Sequence, residues 1–431
     1  MELLKMGGDI PPEFTNWREE QRAWATTAVL MDQSQHMWDL ELEGPEALDV
    51  FADLGINSFD SFQPGEAKQF VATNPKGYLI GDGILYYLAE DRLDLVGLTP
   101  INWVHYHVET GDYDVTVNRD EPAMNREGPP QRFRYEVQGP AALSIVKEIL
   151  DGPIPDVDFF DFETVSIDGI EVKAARHGML NEPGFEFWGP WEDGDAVKEA
   201  ILTAGEDHGL RQVGTRAYFT NNLNGWIPAP LQALYGEEMR EFREWLPAES
   251  FEAMASIGGS FKSDDVEDYY LTPFEVGYGR FIDYDHDFVG RDALQKMEDE
   301  RHRTKVTLIW DRDAMVEAFG GVFETPTAKF MELPRPHYAF TMYDRIEKAG
   351  EVVGVSKWPA YRDHIQEMMS LGIVDPDVAE PGTEVTVIWG EEDSPKPEVE
   401  DHEEVEISAT VEAVPYQGDK RKTTDYASVD D

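Results

Sequence analysis

The stretch 183-PGFEFWGPWED-193 sets one carboxylate, Glu186, among Phe185, Phe187, Trp188 and Trp191, with no Lys or Arg beside it in the chain. A carboxylate among aromatics is costly unless a donor meets it, so its type and setting ask for a partner. Two further residues have reactive side chains in odd places. His36 ends 31-MDQSQH-36 just before apolar residues, and Tyr218 lies in 214-GTRAYFTNNLNGW-226, a polar, turn-rich run closed by Trp226. A histidine and a tyrosine hydroxyl can move or lend a proton. Each can equally be a satisfied buried polar group, which is the commoner case, and the residues alone leave that choice open.

Other patterns are weaker. The run 283-DYDHDFVGRD-292 begins like a calcium loop, but Phe288 and Leu294 stand where an EF-hand needs Gly and Glu, so it reads as a surface turn into the helix 291–300. His105 and His107 would share one face of a strand, yet no third metal ligand is near in sequence, and no metal is expected. The glycines of 81-GDG-83 lack the rest of a dinucleotide fingerprint, and there is no G-x-S-x-G or phosphate loop. With no cysteine in the chain, thiol nucleophiles, disulfides and zinc–thiolate sites are excluded.

The elements that must position these residues belong to a chain of 431 residues, 41% hydrophobic, which is ample for more than one core. Its 87 acidic residues against 36 basic ones give a net charge of -51, which argues against nucleic acid or an anionic membrane as partner. The acid is spread through sequence rich in Trp, Phe and Leu, unlike a disordered tail. A halophile-type surface, hydrated by carboxylates and screened by salt, is the favoured reading. No apolar run spans a bilayer and the first residues lack a secretory pattern, so a cytoplasmic protein is expected.

Apolar spacing predicts a helix over 14–30, a strand over 35–44 and two strands over 77–97 joined by an acidic turn. The block 131–150 reads as strand, Gly-Pro turn and helix, and 195–210 as an amphipathic helix. After 301 the pattern turns to short strands, with 391–406 an acidic hairpin loop between two of them. The expected division is an α/β lobe at 10–130, a second at 131–298, a β domain at 303–417 and a tail at 418–431.

Six stretches then carry a resemblance: 15-TNWREEQRAWATTAVLMDQSQHM-37, 78-YLIGDGILYYLAED-91, 177-HGMLNEPGFEFWGPWE-192, 214-GTRAYFTNNLNGWIPAP-230, 257-IGGSFKSDDVEDYYLTPFEVGYG-279 and 285-DHDFVGRDAL-294. In order, from about Pro12 to Tyr416, the chain resembles the tetrahydrofolate-dependent aryl O-demethylases of the aminomethyltransferase (glycine-cleavage T-protein) superfamily. The resemblance implies an α+β fold, a three-lobed cloverleaf around a folate channel with a barrel-like C-terminal β domain. It implies tetrahydrofolate as cofactor, bound by Glu186. A pterin edge offers an N–H beside an exocyclic amine, and one carboxylate can accept both. It implies Tyr218 as the acid that assists the leaving oxygen, His36 as an active-site histidine, Trp226 as a pocket wall and Asp82 as a folate-side or structural residue. Two positions depart from the pattern. The family arginine of the run 94-DLVGLTPINW-103 is replaced by Leu98 in the substrate pocket, and an N-terminal tyrosine by Gly7.

The leading expectation is a transferase that moves a methyl group from a methoxylated, aromatic small molecule to N5 of tetrahydrofolate, with a less anionic substrate pocket because of Leu98. A true aminomethyltransferase, or a demethylase of sulfur or nitrogen compounds, is the alternative within the superfamily. A folate-binding protein without chemistry is the alternative outside catalysis. The partner expected is a small-molecule methyl donor, and the oligomeric state is left open.

Overall fold

The computed structural model describes residue 8, residues 10–227, 231–336 and 338–418, and Tyr426; Gly7 and the rest of the tail lie outside the described residues. The first helix, Trp17–Thr26, is capped by Asn16, whose side chain accepts from the backbone N–H of Arg18 and Glu19. The helix expected over 14–30 ends there, and Ala28–Asp32 is strand β1. Four consecutive buried apolar residues fit either period, and pairing on both sides decides for strand.

Two sheets and a barrel follow. Strands β2 (Trp38–Glu43), β3 (Ala67–Thr73), β4 (Leu79–Ala89), β5 (Arg92–Gly97) and β6 (Thr116–Asp120) form a sheet in the order β3-β4-β5-β2-β6. The helices Ala47–Leu54 and Ile101–Thr110 pack on it through Val50, Phe51, Leu54, Ile101 and Val104. His105 and His107 lie on the second of these helices, not on a strand. Two residues apart on a helix, they point to different sides. His105 Nδ1 meets Arg119 Nη1 at 3.0 Å, and the His107 ring stands 4.2 Å from the Trp103 ring.

The second sheet runs β11-β1-β7-β10-β9-β8, with β7 (Arg132–Gln138), β8 (Phe162–Ile167), β9 (Ile170–Ala175), β10 (Gly184–Pro190) and β11 (Leu210–Gln212). Strand β1 crosses from the N-terminal segment into this sheet, parallel to β11 and antiparallel to β7. The helices Ala142–Ile149 and Gly194–Gly205 fall where their apolar spacing places them.

A short parallel pair, β12 (Ile257–Gly258) with β14 (Thr341–Met342), leads to the third unit. There β13 (Thr304–Trp310), β15 (Asp344–Lys348), β16 (Glu351–Arg362), β17 (Glu367–Val374), β18 (Glu384–Trp389) and β19 (Val405–Glu412) close a barrel in the order β13-β17-β16-β15-β18-β19. The acidic stretch 391–406 joins the paired strands β18 and β19, as its flanking alternation predicts. A closed barrel leaves no sheet edge to protect.

Candidate active site

Alternation along β10 sends Phe185 and Phe187 into the core of the second sheet, and turns Glu186 and Trp188 to the opposite face. The aromatics adjacent in sequence are therefore not all neighbours of the carboxylate. Its aromatic surroundings come from Trp188 and from Tyr86 of β4, whose rings lie 4.7 Å apart. The missing cation also comes from elsewhere. Arg134 of the neighbouring strand β7 donates through Nη1 to Glu186 Oε1 at 2.6 Å, and the Tyr86 hydroxyl donates to the same oxygen at 3.0 Å. Glu186 is 2% exposed, so this pairing meets the cost that its setting raises. Among the described residues no donor reaches Oε2.

Arg134 also donates to Asp39 Oδ1 at 2.9 Å. Burial works against its charge, but Asp39 and Glu186 hold its pKa above the ordinary value. Next to it, Arg132 spans Asp94, at 2.6 Å, and Glu41. Burial pushes Asp94 up to about 7, against the pull of Arg132. Directly opposite Glu186 in the register stands Glu136, fully buried, which accepts from Gln33 Nε2 and from the Met179 backbone N–H at 2.8 Å.

His36, in the loop between β1 and β2, and Tyr218, at the end of the short helix Thr215–Tyr218, meet at 2.8 Å from Nε2 to Oη. Their rings stand edge to face, with centroids 4.8 Å apart. Burial lowers His36 to about 4, opposed by Asp32 and reinforced by Arg134. Burial raises Tyr218 well above the ordinary tyrosine value, helped by the charges of Glu136 and Glu186. Both side chains are thus neutral at physiological pH. The Tyr218 hydroxyl also lies 3.5 Å from Met179 Sδ, a weak acceptor that a better one can displace.

Asp82 and Trp226 are brought together as well. The indole N–H donates to Asp82 Oδ2 at 2.7 Å, the Tyr278 hydroxyl donates at 2.9 Å, and Gln69 Nε2 donates too. Burial raises the Asp82 pKa against these three donors. Lys305 of β13 faces this group and is lowered by burial to about 8. The glycines around Asp82 serve close packing: a Cβ on Gly81 would lie 1.8 Å from Thr99 Oγ1, and one on Gly83 2.8 Å from the Val96 carbonyl oxygen. Asp82 and Tyr86 share one face of β4, roughly 13 Å apart at ordinary strand rise, so the two polar groups mark the ends of one surface.

Leu98, just past β5, packs against the apolar cluster of the first sheet, which Phe219 also borders. The Phe219 ring is 6.4 Å from that of His36. Arg134, Glu136, Gln33, Tyr86 and Met179 also belong to the site, although no motif in the sequence singles them out. One signal was available: 132-RFRYEVQ-138 alternates polar and apolar residues, and a strand whose polar face is buried as deeply as Arg134, Glu136 and Gln138 serves a site rather than solvent. Among the described residues no group of three His, Asp or Glu side chains could hold a metal ion.

The donor set suits a folate. Glu186 is preset by Arg134 and Tyr86 with one oxygen unmatched, flat aromatic walls stand beside it, and a second polar anchor lies along β4. Residues 5–240 match the family model described as the GCVT N-terminal domain. A syringate O-demethylase from Sphingobium sp. strain SYK-6 is 45% identical over 425 residues, covering 97% of this chain and 92% of the relative. A sesamin methylene transferase from Sinomonas sp. strain No.22 is 28% identical, covering 98% and 94%. The solved glycine cleavage aminomethyltransferase T from Bartonella henselae overlays with a TM-score of 0.63 at 18% identity, over 94% of this chain and 91% of that one, which shows the fold. With its two sheets, its closed barrel and this likeness along nearly its whole length, the chain belongs to the GCVT family of one-carbon transferases.

Proposed function

We propose that this chain removes a methyl group from a methoxylated aromatic small molecule and passes it to N5 of tetrahydrofolate. The observation that carries the reading is the neutral His36–Tyr218 pair, at 2.8 Å, within the electrostatic reach of Glu186. The syringate O-demethylase relative supports it. Glu186 Oε2 would accept from the pterin edge, and Trp226 and Asp82 would border the cofactor further along β4. Tetrahydrofolate, when bound, supplies N5 as the methyl acceptor.

The residues do the rest. When an aryl–oxygen–methyl group loses its methyl carbon, the oxygen gains charge in a site with little water, where a fixed donor is strongest. Tyr218 Oη supplies that donor. Its raised pKa makes it hold its own proton and stabilise the oxygen by a charge-assisted hydrogen bond. The hydroxyl has one proton to give, so His36 must donate to Tyr218 Oη rather than accept from it. This fixes the neutral imidazole as the Nε2–H tautomer. Burial of both rings excludes competing water.

The test is incubation in high salt of the purified protein, tetrahydrofolate and a pool of methoxylated aromatics with methylated sulfur and nitrogen compounds. 5-Methyltetrahydrofolate, read by mass spectrometry together with one consumed methoxyarene, is the expected result. Tetrahydrofolate binding without methyl transfer from any donor would favour a non-catalytic folate binder. The same reading takes the acidic surface as a halophilic adaptation, the protein as cytoplasmic, and the lobes 10–130, 131–298 and 303–417 as its units. Among the described residues no helix is long and apolar enough to cross a membrane.

A further inference from the structure

Arg335 lies in the segment that leads from the barrel helix Arg312–Gly321 towards β14. It is 8% exposed, its Nε is buried without a hydrogen-bond partner, and among the described residues no carboxylate or carbonyl accepts from its guanidinium. Burial alone acts on it and lowers its pKa to about 9. In a chain with 87 acidic residues this is unusual. The other deeply buried arginines have acceptors: Arg134 has Glu186 and Asp39, and Arg362 has the carbonyl oxygens of Thr220 and Asn221. A buried cation kept without an anion is costly in the free protein, and an anionic ligand removes that cost.

Its surroundings place it at the substrate end of the site. The guanidinium carbon stands 3.4 Å from the centroid of the Trp358 ring. Trp358 has a φ of 56° and sits at the register shift of β16 against β17, a bulge that re-aims its side chain. Its indole N–H donates to the carbonyl oxygen of Phe219 at 2.8 Å, one residue from Tyr218. Trp358, Phe219 and Leu98 share one apolar cluster. The segment itself is tied down, because Tyr361 N–H donates to the Pro334 carbonyl oxygen at 2.7 Å and Arg216 to that of Leu333 at 2.5 Å.

We propose that Arg335 is the specificity-determining residue that binds the carboxylate of the methyl donor, whose ring lies along Leu98, Phe219 and Trp358. This rests on the demethylase reading above and revises the expectation of a less anionic pocket. The positive charge absent at Leu98 enters the same cluster from the barrel side instead. The planar fork of an arginine suits a carboxylate, and the tryptophan face holds that fork in place.

The experiment compares syringate with its primary amide, on the wild type, Arg335→Gln and Arg335→Lys. Equilibrium binding is measured first, without tetrahydrofolate, and turnover to 5-methyltetrahydrofolate second. The wild type is expected to prefer the acid by about a hundredfold in Kd and in kcat/KM, and Arg335→Gln to lose about that factor for the acid while the amide changes little. Arg335→Lys should recover part of the loss, since charge and not stacking is read. Equal binding of acid and amide by the wild type overturns the proposal even if Arg335→Gln does not fold. An equal loss for both ligands in Arg335→Gln assigns Arg335 a packing role and also overturns it. Binding that depends on Arg335 with no methyl transfer from any donor upholds Arg335 and removes the demethylase reading instead.

Discussion

Tyr218 and His36 each carry an outcome that can be measured on one side chain. Tyr218→Phe removes the hydroxyl that lends its hydrogen to the leaving oxygen, so kcat should fall by roughly 10²–10³ for a methoxyarene while tetrahydrofolate binding is unchanged. If a methylated sulfur or nitrogen compound were the true donor, its neutral leaving group would make the hydroxyl dispensable, and a phenylalanine variant of full activity would show it. His36 titrates at about 4 in the folded protein against an ordinary 6.5. A depressed histidine stabilises the fold fully above the unfolded value, and the contribution, about 3 kcal/mol, is lost as pH falls through 6.5 towards 4. The rate should therefore show no histidine inflection between pH 6 and 8. NMR of a ¹⁵N-labelled imidazole should report a neutral Nε2–H ring across that range, and a protonated ring at pH 6 would count against the assignment.

At the scale of elements, adjacent strands decide what Glu186 can do. β10 supplies the carboxylate, β7 the guanidinium of Arg134 and β4 the Tyr86 hydroxyl, and each pair meets only because register and sheet packing align them. Arg134→Met leaves Glu186 buried without its cation, while half-buried Asp39 keeps Arg132 at 3.5 Å. It should destabilise the protein by about 3–5 kcal/mol in chemical denaturation. Glu186→Gln keeps the shape and an acceptor for Arg134, so its larger effect should fall on folate. Calorimetry is expected to find tetrahydrofolate bound about 10-fold or more weakly, with a smaller change in stability. The reverse ranking of the two variants would make Glu186 a structural anchor rather than a ligand residue.

For the whole molecule the governing quantity is a net charge of -51. Self-repulsion of that size is screened as salt rises, because the Debye length shrinks from about 10 Å at 0.1 M to about 3 Å at 1 M. The melting temperature should climb by several degrees between about 0.1 M and 2 M KCl. A melting point indifferent to salt would leave the acidic surface without this explanation. Buried pairs such as Arg134–Glu186 should respond far less, so activity lost at low salt should return with the fold.

Much of this protein was written along the chain. Local spacing determined the helices 142–149 and 194–205, the paired strands of 77–97, the β-rich end after 301 and the hairpin at β18–β19. Glu186, His36 and Tyr218 stood out as polar residues at odds with their neighbours, which is visible without coordinates, whereas Trp226 and Asp82 were marked only by the resemblance of long motifs. Tertiary structure decided the partners. A buried charge is answered across strands, and the answering residue stands far away in sequence: Arg134 is 52 positions from Glu186, and Asp82 is 144 from Trp226. Tertiary structure also turned 105-HYH-107 from strand to helix and β1 out of the first helix's pattern, since short apolar runs satisfy both periods until sheet pairing chooses. Arg335 had no signal at all in its own neighbourhood, 333-LPRP-336, because what distinguishes it is the lack of an acceptor around a buried cation, which only the folded packing of barrel and sheets creates.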